Sequence, residues 1–227
     1  MKNMAILGIG VILIPIGFIV DFIFEVGDYV LEIFVFLGFV MVVIFINTTF
    51  YRNRNKAANL VLIMVIFLGI VQILLFYLYS DVFLQRGFHH YLTRTFDLIY
   101  VLLVYEWFAY SCYSAYKRLK DQNIKPWIKA RYRLLAISSF VMGFHSIPEF
   151  FLPKNVEWGD PNHPISLLLF GVVAIMSIVY GIIFSISWFM PRKLKNYYNK
   201  EYKKETDKEY TEEELMNLIK DQLNEKG

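Results

Sequence analysis

The sequence predicts an all-α integral membrane protein, a bundle of six transmembrane helices with both termini cytoplasmic. Three observations predict it. The 227 residues are 57% hydrophobic and 18% aromatic but only 19% charged, with a mean hydropathy of +0.44, whereas soluble domains average about 45–50% apolar and about 25% charged. Such an excess of apolar surface faces lipid, which sets aside disordered, fibrous and disulfide-scaffold classes together. Six apolar runs reach the roughly 20 residues needed to cross a hydrocarbon core of about 30 Å. The loops between those runs alternate in charge. Six spans use most of residues 1–190, so any chemistry is expected inside the bundle or its loops rather than in a separate catalytic domain, and an enzyme is not favoured.

The first run, Met4–Phe24, is longer than the 7–15 residues or so of a signal-peptide core and lacks an Ala-x-Ala site, so it is expected to be retained. Pro15 is expected to kink it, and Gly10 and Gly17, with Asp21 beyond, line one side as a helix contact. The second run is Val30–Phe50, with Glu32 near its start, and the third is Asn59–Tyr79. The fourth, Asp97–Tyr116, holds the single cysteine, Cys112, which is expected to be a packing residue. In the fifth, Tyr132–Leu152, Pro148 has no N–H for the carbonyl of Phe144, so a kink is expected near His145. The sixth, Ile165–Met190, carries Ser177, Gly181 and Ser185 four residues apart, a small-residue series suited to close helix packing and to a homodimer. Trp127, Trp158 and Trp188 fall where interfacial aromatic belts occur.

Basic residues set the orientation. Arg52, Arg54 and Lys56 follow the second run; Lys117, Arg118, Lys120, Lys125, Lys129, Arg131 and Arg133 surround the fourth loop; Arg192, Lys193 and Lys195 follow the sixth run. The opposite loops hold Glu25 and Asp28, then Arg86 and Arg94, then Lys154 against Glu157 and Asp160. The positive-inside bias therefore predicts a multi-pass plasma-membrane protein with N- and C-termini cytoplasmic. Residues 191–227 form a basic tail. Thr211 and Glu214 have capping-box spacing, and Leu215, Leu218, Ile219 and Leu223 share one face, which predicts a short amphipathic helix over residues 211–224 that folds onto the bundle or lipid, or docks a cytoplasmic protein. The bases sit beside membrane exits and among acids, so nucleic acid is not an expected partner.

Ionisable side chains at bilayer depth cost about 2.5–3.5 kcal/mol on insertion scales and therefore mark candidate sites. Glu106, Tyr110, Tyr113 and Lys117 share one stripe of the fourth helix, and Ser138, His145 and Glu149 share one of the fifth, with Arg131 a heptad earlier. If both stripes face inward, Glu106 and His145 meet in a cavity lined by Tyr110 and Glu149, a candidate ligand- or proton-binding site. His89, His90 and Asp97, near Asp21 and Glu32 at the same end of the bundle, form a weaker candidate metal site. No Walker loop, dinucleotide fingerprint, G-x-S-x-G elbow or paired-cysteine site occurs, and no cofactor or catalytic residue is expected.

Two stretches, Arg118-Leu-Lys-Asp-Gln-Asn-Ile-Lys-Pro-Trp-Ile-Lys-Ala-Arg-Tyr-Arg and Ser187-Trp-Phe-Met-Pro-Arg-Lys-Leu-Lys-Asn-Tyr-Tyr, resemble the membrane-embedded sensor regions of prokaryotic, especially archaeal, histidine kinases and related orphan proteins. The resemblance implies signalling through a partner protein and assigns no individual residue a role. The expected function is thus a membrane-embedded sensor or protein-interaction module. The alternatives are a small-solute or proton-coupled transporter using Glu106 and His145 and, third, an intramembrane metal-dependent hydrolase.

Overall fold

A computed structural model describes residues 2–24, 28–51, 55–79, 87–122, 124–153, 155–156, 158–200 and Glu214. Apart from Glu214, the amphipathic segment at residues 211–224 lies outside them, as do Glu25, Arg52, Arg54, Arg86, Lys154 and Glu157. The chain is an all-α bundle, with no strand among the described residues. Its helices are α1 (Lys2–Phe24), α2 (Asp28–Phe50), α3 (Lys56–Tyr79), α4 (Phe88–Leu119), α5 (Pro126–Met142), α6 (Pro164–Phe189) and α7 (Arg192–Tyr198), with a 3-10 segment, Ile147–Phe151, after α5. Among the described residues, six helical segments are long and apolar enough to cross a membrane. All six coincide with the expected runs.

Two boundaries differ from the expectation, each for a local reason. α4 begins nine residues before Asp97, because His89, His90 and Arg94 lower hydropathy without preventing a helix from propagating toward its N-terminus. The fifth span is broken rather than kinked. Pro126 occupies the first turn of α5, where its missing N–H is not needed. At the other end the ladder tightens over Gly143–Ser146: Phe144 N–H donates to Val141 O at 3.2 Å, His145 N–H to Met142 O at 3.1 Å and Ile147 N–H to Phe144 O at 3.1 Å. The carbonyl of Phe144, which Pro148 cannot serve, is thereby satisfied three residues on. α1, by contrast, runs unbroken through Pro15.

From α1 to α6 consecutive helices pack against each other, and α4 also meets α2, which places α4 at the centre; α6 meets α5 and the 3-10 segment on the periphery, and α7 folds back onto α5. The core lies in two clusters. One joins Phe45, Ile46 and Phe50 to Phe108, Cys112, Ala115, Leu119, Tyr132 and Leu135; the other joins Phe39, Val43 and Val65 to Tyr100, Val101 and Val104. Cys112 is a fully buried packing residue. α1 and α2 touch through glycine: a Cβ on Gly10 would lie 2.9 Å from Gly38 O, and one on Gly17 would lie 2.7 Å from Phe34 Cβ. The expected small-residue face of α1 is therefore the α1–α2 seam, with Gly38 as its unforeseen counterpart.

The basic end is held by cation–aromatic contacts. The Arg131 guanidinium, buried at 4% exposure, lies 4.3 Å from the Trp188 ring centroid on α6. Lys195 of α7 lies 4.5 Å from the Trp127 ring of α5. Asn55 accepts the Ala58 N–H at 3.1 Å and so caps α3.

Candidate functional site

The stripe Glu106, Tyr110, Tyr113 and Lys117 forms as its spacing requires, but Tyr110, Tyr113 and Lys117 are exposed on the flank and Glu106, half-buried, stands at its edge against α5. Val101, Val104, Phe108, Cys112, Ala115 and Leu119 are buried and recur every three or four residues. At about 100° per residue they occupy the side of α4 opposite Glu106. Tyr110 is 58% exposed and Tyr113 is 55% exposed. The inward-facing expectation for these residues is thus corrected: α4 gives its small and apolar side to the central packing position and turns its polar stripe to the flank.

There, Leu103, Glu106, Trp107 and Tyr110 line an open groove of about 350 Å³. Its aromatic wall is fixed from behind. Trp107 Nε1 donates to Asn47 Oδ1 at 2.9 Å, and Asn47 Nδ2 donates to Ala58 O at 2.7 Å. The Trp107 ring stacks on Tyr51, with centroids 5.0 Å apart and planes 12° apart, and on Tyr110 at 5.8 Å and 21°. Ser111 Oγ donates to Trp107 O at 2.7 Å, so at the 3.1 Å contact between Tyr51 Oη and Ser111 Oγ the phenol is the donor. Burial pushes the Tyr51 phenol up to about 12, which keeps that proton in place. Tyr51, Trp107 and Tyr110 form one continuous aromatic stack ending at the groove.

Glu106 reaches from this wall toward the end of α5. Its Oε1 lies 2.9 Å from where a Cβ on Gly143 would sit, and Phe140 O lies 3.4 Å from the same point. Only a glycine leaves that space open. Oε1 is buried and has no hydrogen-bond partner. Along α4, Glu106 is twelve residues from Arg94 and eleven from Lys117, about 18 Å and 16 Å at 1.5 Å per residue, and its neighbour Trp107 is level with the end of α2 and the start of α3 through Asn47 and Ala58.

Glu106 and His145 are not joined by a hydrogen bond or ion pair among the described residues. His145 Nδ1 lies 2.9 Å from Met142 O, and its ring packs edge-on against Tyr105 at 6.0 Å. Glu149, expected beside Glu106, instead pairs with Arg94 of α4. The Arg94 guanidinium also lies 5.6 Å from the Phe76 ring centroid of α3. The stripe of α5 does face inward, since Arg131 and Ser138 are buried. The two polar stripes therefore look in different directions, and Tyr113 meets only the flank and Tyr116, at 6.4 Å.

The candidate metal residues are not assembled. Among the described residues no group of three His, Cys, Asp or Glu side chains is placed to hold a metal ion. His89 stacks on Tyr79 at 4.2 Å, and His90 is buried. Two further polar groups went unforeseen: the side-chain amide of Gln72 and the hydroxyl of Tyr100 are buried without hydrogen-bond partners. Gln72 carries the signal of being the one polar side chain in the long apolar run of α3 after Asn59. Trp107 and Gly143 carry none, because an indole and a glycine in an apolar helix read equally well as packing.

Compared with known proteins, the chain matches no family model, no curated protein and no solved structure.

Proposed function

We propose that this chain is a sensor or protein-interaction module of the plasma membrane, and that its working surface is the flank groove at Glu106. The observation that carries the proposal is the position of one carboxyl. Glu106 sits within its span, lines a groove open to the surroundings of the bundle, and has no hydrogen bond or ion pair to a neighbouring helix among the described residues. A carboxyl kept for architecture would be satisfied within the bundle, as Glu149 is by Arg94. From the groove, α4 runs without a break to Lys117, Arg118 and the basic loop, where Leu119, Ile124 and Ile128 pack together. That loop and the α7 bases, Arg192, Lys193 and Lys195, support a cytoplasmic location for this end and for both termini. A rigid helix between groove and loop gives occupancy of the groove a direct route to a cytoplasmic partner.

The test is photocrosslinking in native membranes with a photoreactive residue at Tyr110 and, as control, at Ile175, which is exposed on α6. A discrete adduct at Tyr110 that disappears with Glu106→Ala supports the proposal. The same diffuse lipid adducts at both positions would contradict it.

A second reading, a proton-coupled carrier of small solutes, draws support from the break in α5 beside Glu106, since interrupted helices are a feature of transport sites. Solute flux into liposomes that requires Glu106 would favour it over sensing.

The exposed series Ser177, Gly181 and Ser185 supports self-association through α6; a Cβ on Gly181 would have nothing within 4 Å in the monomer. Gly181→Leu is therefore expected to leave the fold intact and to shift the detergent-solubilised protein from dimer to monomer. An unchanged oligomer on sedimentation would remove α6 as the interface.

A further inference from the structure

We propose that the Glu106 groove binds a lipophilic organic cation, an amine, quaternary ammonium or phosphonium group carried on an apolar body. This rests on the groove being the working surface and adds the chemical class of its ligand. Four observations converge on that class. Glu106 is the one acid among the described residues lining the groove, and it has no partner among the described residues, so the complementary ligand carries positive charge. Beside it stand the faces of Trp107 and Tyr110, and aromatic faces attract cations, Trp most strongly. Trp107 is held in advance by Asn47 and stacked on Tyr51, so little ordering is required when a ligand arrives. The end of α5 lies against the carboxyl at Gly143, and the negative pole of a helix C-terminus adds to the attraction for a cation.

The walls then separate organic from inorganic cations. A bare metal ion needs several oxygen ligands, about six for calcium or magnesium, whereas the groove presents one carboxyl among Leu103, Trp107 and Tyr110. Its volume of about 350 Å³ matches the range of small-molecule sites. Because it opens on the flank of an apolar span, its occupant arrives through lipid, and a hydrated ion does not.

Equilibrium dialysis of the full chain in nanodiscs tests this with radiolabelled tetraphenylphosphonium as the probe and tetraphenylborate as its anionic counterpart of similar shape. Saturable phosphonium binding is expected, weakened at least about tenfold by Glu106→Gln, which keeps shape while removing the charge. Tyr110→Leu, on an exposed side chain whose loss should not disturb folding, is expected to weaken it less. Helicity and elution volume should match the parent chain in both variants. No saturable phosphonium binding, binding unchanged in Glu106→Gln, or equal binding of tetraphenylborate would each overturn the proposal. A discrete Tyr110 crosslink to a neutral ligand or a protein, without phosphonium binding, would overturn the cation assignment alone and leave the groove as the working surface.

Discussion

Glu149→Ala is expected to destabilise the bundle by about 2 kcal/mol, below the range for breaking a fully buried ion pair because both groups are partly exposed. Arg94 and Glu149 are each 16% exposed, and their pair ties α4 to the 3-10 segment after the broken α5. Removing the carboxylate takes an ion-pair partner from a guanidinium that also lies against Phe76 of α3. Part of the cost is the poorer compensation of that charge and part is the lost attraction. The double variant Arg94→Met with Glu149→Leu removes both charges and keeps volume, and it is expected to recover most of the stability. Unfolding of the parent chain, Arg94→Met, Glu149→Leu and the double variant in mixed micelles measures this. Additive losses in the double variant would mean that the two side chains do not act as a pair.

Gly38→Leu is expected to be at least as damaging, for a steric reason. A Cβ at this position would lie 2.6 Å from Ile14 Cγ1 and 2.9 Å from the backbone carbonyl of Gly10. Backbone cannot swing aside, so α1 and α2 must separate, and overpacking of this kind costs about 1–3 kcal/mol or more. Gly10→Ala should destabilise in the same direction, since its Cβ would meet Gly38 O at 2.9 Å. Gly8→Ala is the control on the same helix: nothing lies within 4 Å of its Cβ, and its effect should stay within about 0.5 kcal/mol. Thermal unfolding in detergent ranks the three. Equal effects of Gly8→Ala and Gly10→Ala would show that the seam is not glycine-dependent.

The contrast between these glycines marks how far the sequence is legible. Run length and charge alternation locate all six spans, because the bilayer fixes the length of a span whatever its neighbours do. Gly10 and Gly17 are legible as a contact face; that Gly38 meets them depends on the crossing of α1 and α2. Helix α4 displays the same limit. Its polar stripe follows from spacing alone, yet the direction of that stripe depends on what packs around the helix. In lipid an outward face can be as apolar as an inward one, so periodicity distinguishes the two faces poorly. The cost of exposing a carboxyl to lipid argued for an inward stripe; Glu106 instead turns Oε1 against Gly143, while the small side chains Cys112 and Ala115 on the opposite side take the central packing position. Pro148 announced a disturbance near His145, whereas the extent of the break reflects 3-10-type hydrogen bonds from Phe144, His145 and Ile147 that no single residue encodes. Arg94 looked like a loop base because the helix carrying it starts earlier than its hydropathy indicates.

The outward direction of the Glu106 stripe is tested most directly by collision accessibility of a nitroxide at position 110, introduced as Tyr110→Cys in a Cys112→Ala background and reconstituted in bilayers. The flank groove requires high accessibility to dissolved oxygen, which partitions into lipid, and a drop when tetraphenylphosphonium is added. An immobile label at position 110, as shielded from oxygen as one placed at buried Phe108, would turn the stripe inward and contradict the groove.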